Sequence, residues 1–369
     1  MGNWGLGQLL SEQSKDHHLP ARAFVLVCAA LTVVAPLSCA TANATADIDD
    51  RTITGREFAT LLENGGVDAS NVTVTGDVDL RGAGRITEIV SCEDCTIAGS
   101  LNASDIEFAR VVSLPGLSLA GSLDVHGATF DDAFLLQRSA RRPAVVHGPA
   151  DLRMVTFRHR ASFDGAQFND EVVARNLTAR DNTSWVDSAF MGAADLSRTH
   201  WSATASFNGA AFGSDAAFGR AIFNGPSSFR GAQFGRRATF DAAAFGDAVD
   251  FAFAGFHDAT TFEQATFAAA ANFRSVRAIG TLSFDQAHLR GTLDMEAAYL
   301  TENVSLASMT GAGVVSMSDM LMAPSSWLRL GTHADHGTPP GSRERAPPQR
   351  SSRADRRVAR RGEDRDRGR

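Results

Sequence analysis

The chain has 369 residues, enough for one large domain or two ordinary ones. Its net charge of −7 conceals two regions: residues 341–369 carry eleven Arg against five acidic residues, leaving 24 basic against 37 acidic residues elsewhere. An acidic body of that kind stays soluble and repels nucleic acid, while 33 Gly and 24 Phe against a single Tyr mark a bias that calls for a structural cause.

The first 46 residues read as a signal peptide or signal anchor. Lys15 (the only lysine) and Arg22 precede an apolar run over 23–37, and small residues follow. Cleavage sites of A-x-A form stand at Ala40-Thr41-Ala42 and Ala44-Thr45-Ala46. The 22 residues before the apolar run are long for a cleaved leader, so an uncleaved anchor is the alternative. Either places the remainder outside the cytoplasm, secreted or at the cell surface, with membrane association through this segment.

Residues 47–70 are expected to form a linker and an N-terminal capping helix. Thr54-Gly55-Arg56-Glu57 has capping-box spacing, Phe58, Leu61 and Leu62 form an apolar stripe, and Asn64-Gly65-Gly66 ends it. The spacing predicts a short amphipathic helix over 54–63, laid across the end of whatever follows. Gly76-Asp77-Val78-Asp79-Leu80 then begins the first repeat. Cys92 and Cys95 form a C-x-x-C without further zinc ligands at finger spacing, and they read as packed thiols or a structural disulfide.

From Ile86 a large apolar residue returns every eleven positions: Ile97, Phe108, Leu119, Phe130, Leu152, Phe163, Trp185 and Leu196. An unbroken run from Phe207 through Phe218, Phe229, Phe240, Phe251, Phe262 and Phe273 to Phe284 follows, and Met295, Leu306 and Met317 close it. Only Arg141 and Ala174 break the register. A second series lies five residues later, as at Phe212, Phe223 and Phe234, but four residues later in the first part, as at Val90 and Leu101. Small residues such as Ala205, Ala210 and Ala216 precede most anchors by two.

On an α-helix, residues five apart lie about 140° apart, so Phe207 and Phe212 cannot share one seam. A coil of short strands fits instead. Positions i−2 and i face the same way along a strand, and the Gly, Asn and Asp residues between them turn corners. Two eleven-residue units then make one coil of about 22 residues with four faces, each ring stacking about 4.8 Å from its counterpart. From Ile86 to Met317 this predicts about ten coils and a length of about 50 Å at that spacing.

Ala194-Asp195-Leu196-Ser197-Arg198, Ala150-Asp151-Leu152-Arg153, Ala161-Ser162-Phe163-Asp164-Gly165 and Ala205-Ser206-Phe207-Asn208-Gly209 resemble the pentapeptide-repeat family. Here the variant is Phe-rich, with an 11-residue double unit of five plus six. The resemblance implies an all-β fold: a right-handed quadrilateral parallel β-helix, a pentapeptide-repeat solenoid with a short N-terminal capping helix, over 71–322. It implies no activity, because a fold hosts function only through its sites. Residues 323–369, rich in Gly, Pro, Ser and Arg, are expected to be a disordered tail.

No catalytic, cofactor-binding or metal-ligating residue is assigned, and no cofactor is expected. Asp164, Asp241, Asp250 and Asp258 fall at turn or outward positions, and His126, His147, His159, His200, His257 and His288 are scattered. His333 and His336 lie in the tail. Sequons at Asn43, Asn71, Asn102, Asn176, Asn182 and Asn303 suit an exported surface, as does turn-forming Asn. The expected function is that of an exported, non-enzymatic structural or interaction surface, with an unknown protein or surface polymer as partner. The alternatives are the extracytoplasmic domain of a membrane channel, a DNA-mimicking protector of a topoisomerase, and a glycan-active β-helix enzyme.

Overall fold

The computed structural model describes residues 46–331. The signal or anchor segment, apart from its final residue, and the Arg-rich tail beyond Gly331 lie outside the described residues.

The described chain is a parallel β-solenoid of thirteen levels with four faces. The first face stacks thirteen strands, from Ala46–Asp47 to Val314–Ser316, and the second thirteen, from Thr52–Thr54 to Leu321–Met322. The third stacks twelve, from Val78–Asp79 to Leu328–Leu330, and the fourth ten, from Arg85–Ile86 to His288–Leu289. Most strands are only two residues long. Each is therefore held by its neighbours above and below, and coil-to-coil bonds such as Phe207 N–H to Ser228 O close the ladder.

One coil shows how sequence makes the corners. Ala205 and Phe207 point inward from the first face, Ala210 and Phe212 from the second, Ala216 and Phe218 from the third, and Ala221 and Phe223 from the fourth, all buried. Corners after the first and third faces are tight turns: Ala210 N–H donates to Phe207 O at 3.1 Å, with Gly209 between them at φ 66°. The same left-handed position recurs every eleven residues, filled by Arg198, Gly209, Arg220, Gly231, Ala242 and Phe253. The five-plus-six beat is thus an alternation of two kinds of corner.

Inside, the rings form two kinds of contact. Along each face they lie flat on one another: Phe207 on Phe229 at 4.9 Å and 3°, Phe212 on Phe234 at 4.9 Å and 2°. Between the first and third faces they meet edge to face, Phe207 with Phe218 at 5.4 Å and 86°. Both geometries suit the ring quadrupole, and each buried ring adds about 1.5–3 kcal/mol through removal from water. Ala174 and Ala179 replace large residues on consecutive faces, and Trp185 and Trp201 return the lost volume within one coil, all four being buried. Their indole N–H groups find no acceptor, so this repacking carries a polar cost.

The structure extends the expected boundaries at both ends. Strands Ala46–Asp47 and Thr52–Thr54 pair in parallel with Val67–Ser70 and Thr73–Thr75, so the expected linker of 47–70 is itself the first level. The helix, Gly55–Asn64, stands where the third and fourth faces of that level would be. Thr54 is its N-cap in a complete capping box, and Phe58 and Leu62 turn into the end of the core. A residual apolar void of about 30 Å³ lies beneath them beside Leu80, Cys92 and Ile97. Toward the other end, Leu328–Leu330 still pairs with Val304–Leu306, past the expected limit at Met322. That final level exposes Val314, Leu321, Trp327 and Leu330.

The eleven-residue series also changes faces. Up to Phe130 its members belong to the fourth and second faces; from Leu152 they belong to the third and first. Phe130 pairs in register with Phe108 of its own series one coil earlier but with Phe157 of the other series one coil later. The cause is an excursion after the strand Phe134–Leu135: eleven positions separate Phe134 from Val145, against six from Val112 to Ser118 one coil earlier. Five extra residues equal one short unit, so the beat survives while the roles exchange. The early four-residue companions Val90, Leu101 and Val112 are the i−2 positions of the first and third faces, where later coils carry Ala or another small residue.

Candidate interaction surface

Because i−2 and i are buried, each face shows solvent its i−1 and i+1 side chains, stacked one coil apart. On the first face, i−1 is Ser91, Ser113, Leu135, Ser162 (itself buried), Ser184, Ser206 and Ser228. Several of these hydroxyls donate to an acceptor at i+1 one coil earlier: Ser162 to Gln137 Oε1 at 2.8 Å, Ser228 to Asn208 Oδ1 at 2.5 Å, and Ser184 to Asp164. Asp164 is therefore a coil-to-coil rung. Asp241 does the same work on the third face, accepting from Glu263 N–H at 3.1 Å. Asp250 and Asp258 accept from Ala252 and Ala259 N–H in their own corners. The structure brings no two of these four carboxylates into one site.

The histidines are equally dispersed. His147 bonds Asn169 at 3.0 Å, His200 bonds Asn224 at 2.8 Å and His288 bonds Thr310 at 3.0 Å, on the second and fourth faces. Of the sequons, Asn71 and Asn176 hold left-handed corners at φ 56° and 58°, as turn-forming Asn does. Cys92 and Cys95 are joined by a disulfide across a first-face corner, and both sulfurs are buried. Among the described residues no group of three His, Cys, Asp or Glu is arranged to hold a metal ion.

The third face carries the most organised charge. Asp79, Asn102, Asp124, Asp151, Val173 and Asp195 occupy its i−1 positions in unbroken parallel register. Like charges stacked this closely repel. Arginines intervene: Arg81 on Asp79 at 2.7 Å, Arg153 on Asp151 at 2.5 Å and Arg175 on Asp195 at 2.5 Å. Hydrogen bonds from the Arg81 side chain and backbone hold the Asp79 carboxyl down at about 2. Partial burial pushes Asp151 and Asp195 upward. It is outweighed by Arg153 at the first and by Ser197 and Arg175 at the second, so both sit below the usual carboxylate range.

Between Asp124 and Arg175 this face opens into a shallow cleft of about 410 Å³, lined by Ser122, Asp124, Asp151, Arg153, Glu171 and Arg175. Above Asp195 the same column turns to Ala217, Thr239, Thr261, Ser283 and Ser305. The third face is thus divided into an acid–arginine half and a hydroxyl half. It offers alternating charge to a ligand in the first half, while in the second Ser305 donates to Asp285 one coil earlier. An eleven-residue period does not pick out this row, because that period alternates between faces; a 22-residue period at i−1 positions does, once the five extra residues after Phe134–Leu135 are removed.

Neither curated proteins nor solved structures gave a match to the chain. Residues 186–233 match the family model for pentapeptide repeats in nine copies. That stretch begins at the Trp185 coil and carries the corners, buried Ala–Phe pairs and flat ring stacks described above. Over those residues the solenoid is a pentapeptide-repeat β-helix, and the levels on either side continue the same four-faced parallel architecture.

Proposed function

We propose that this protein is a non-enzymatic interaction surface that works outside the cytoplasm, and that its binding face is the acid–arginine half of the third face. The observation that carries the reading is the row Asp79, Asp124, Asp151 and Asp195 interleaved with Arg81, Arg153 and Arg175 around the open cleft. Alternating fixed charges one coil apart suit a partner with matching periodic charge, a protein or a surface polymer. The buried Cys92–Cys95 disulfide supports an oxidising compartment.

A second reading has its own observation: Asp124, Asp151 and Glu171 line one cleft, as glycan-hydrolysing carboxylates do. One experiment separates the two. The purified chain is incubated with a panel of polysaccharides, and both retention on the immobilised polymer and release of reducing ends are measured. Retention that weakens in Asp151→Ala and Arg153→Ala, without release, is the expected result. Reducing ends whose release is abolished by Asp151→Asn overturn the non-enzymatic reading. Compartment is tested by fractionation: a cytoplasmic chain with two alkylatable thiols at Cys92 and Cys95 overturns it.

A further inference from the structure

The excursion at 138–143, which makes this corner five residues longer than the one a coil earlier, is tied down more firmly than a surface loop needs to be. Ser139 Oγ accepts from Arg141 N–H at 3.0 Å and Arg142 N–H at 3.1 Å, and donates to Asp94 Oδ1 at 2.6 Å. The Arg142 guanidinium donates to the backbone oxygens of Asp94 and Cys95, the latter at 2.9 Å. The loop therefore folds back two levels onto the corner that the Cys92–Cys95 disulfide closes. Between them lies Gly116, at φ 66°, where a Cβ would meet Asp94 Oδ1 at 2.1 Å and Ser139 Oγ at 2.8 Å. Only glycine lets the clasp close.

The clasp has a cost and no packing reason. Asp94 is 5% exposed, at φ 55°, and its Oδ2 and the Arg142 Nε have no hydrogen-bond partner. The core is continuous without it, since Leu136 and Ala144 are buried at either end of the excursion. A buried carboxylate with unmet hydrogen-bonding capacity, kept without a packing return, is a mark of function. What the clasp presents is positive: the side chain of Arg141 is 75% exposed, and Arg138 and Ala140 are exposed beside it. Asp94 offsets one of three arginines. The rest of the chain outside the tail is acidic.

We propose that the excursion at 138–143 is a docking element for an acidic polypeptide segment, held in binding shape by the Asp94–Ser139–Arg142 clasp. Exposed guanidinium forks match carboxylates in bidentate geometry. An extended polyanion such as nucleic acid would spread past the loop onto an acidic body and be repelled, whereas a short acidic segment would not. This element lies at the corner of the first and second faces and is independent of the third-face cleft.

The test uses the full chain and a hexaglutamate peptide as probe. Arginines are modified with phenylglyoxal with and without the peptide, and each site is followed by mass spectrometry, so the Arg-rich tail is read separately. Modification of Arg138 and Arg141 is expected to slow by at least about threefold with peptide, as for a bidentate carboxylate contact, while Arg230 and Arg274 are unchanged. In Asp94→Ala the protection of Arg138 and Arg141 should vanish. Protection confined to the tail arginines, or persisting unchanged in Asp94→Ala, overturns the proposal. Protection by dextran sulfate but not by hexaglutamate overturns the partner class. If Asp94→Ala does not fold, the wild-type pattern still decides, together with loss of peptide-dependent anisotropy in the exposed pair Arg138→Gln/Arg141→Gln.

Discussion

A single left-handed residue sets each tight corner, and this chain fills that position with almost anything. Gly231 at φ 69° and Ala242 at φ 54° are successive members of the series. For an L-residue with a Cβ the left-handed region costs about 1–2 kcal/mol, whereas Gly adopts it freely at the expense of unfolded-state entropy. Nothing lies within 4 Å of a Cβ added to Gly231, so packing does not confuse the comparison. Ala242→Gly should therefore stabilise by about 0.5–1 kcal/mol and Gly231→Ala destabilise by about as much. Urea midpoints measure both, and a shift in the same direction for the two would contradict this account of the corner. The same tolerance explains a limit of the sequence: Arg220, Phe253 and Gln264 carry no turn signature, so their corners are legible only from the beat around them.

The capping helix shows what an element contributes when it replaces two strands. Thr54 N–H and Oγ1 both donate to Glu57 Oε2, at 2.8 and 2.9 Å, while Glu57 N–H donates back to Thr54 Oγ1 at 3.2 Å. Thr54→Ala should cost about 1 kcal/mol, as N-cap losses typically do. Hydrogen bonds from the Thr54 backbone and then its side chain lower the Glu57 carboxyl below 4.5. A carboxyl lowered by folding stabilises fully above its unfolded value and loses that contribution as pH falls through its folded one. Amide exchange in the helix should therefore quicken, relative to the central coils, as pH drops below about 4.5. Thr54→Ala should quicken it at higher pH and flatten the dependence; an unchanged profile would remove Glu57 from the cap.

The helix was legible because capping boxes and apolar stripes are local signals. Its place inside the first level was not, since the strands that precede it, Ala46–Asp47 and Thr52–Thr54, are too short to carry an alternation. The third-face row was hidden for a different reason. A side chain's ladder partner lies 22 residues away on one coil and 27 on the next, as between Asn102, Asp124 and Asp151, so no constant period selects it. The Asp94 clasp joins residues 45 and 48 apart through one Ser and one Arg, and no spacing rule anticipates that.

At the scale of the whole solenoid, stability is a sum over levels and their interfaces, and position along the axis decides what a substitution costs. Phe229 lies flat between Phe207 at 4.9 Å and Phe251 at 4.7 Å, and edge-on to Phe218 and Phe240, fully buried. Met317 belongs to the last level and is only partly buried. Removing the central ring leaves a void that neighbours on four faces cannot all move to fill, whereas the last level can relax toward solvent. Phe229→Ala should cost about 3–5 kcal/mol, as large-to-small substitutions in a tight core do, and Met317→Ala less than half of that. Native-state exchange gives the sharper reading. In Phe229→Ala, amides of the levels around 207–251 should lose protection together. In Met317→Ala the loss should stop near Leu306, because each level is supported by its immediate neighbours alone. Equal loss along the entire ladder in both variants would mean that the thirteen levels unfold as one unit, and the level-by-level account would fail.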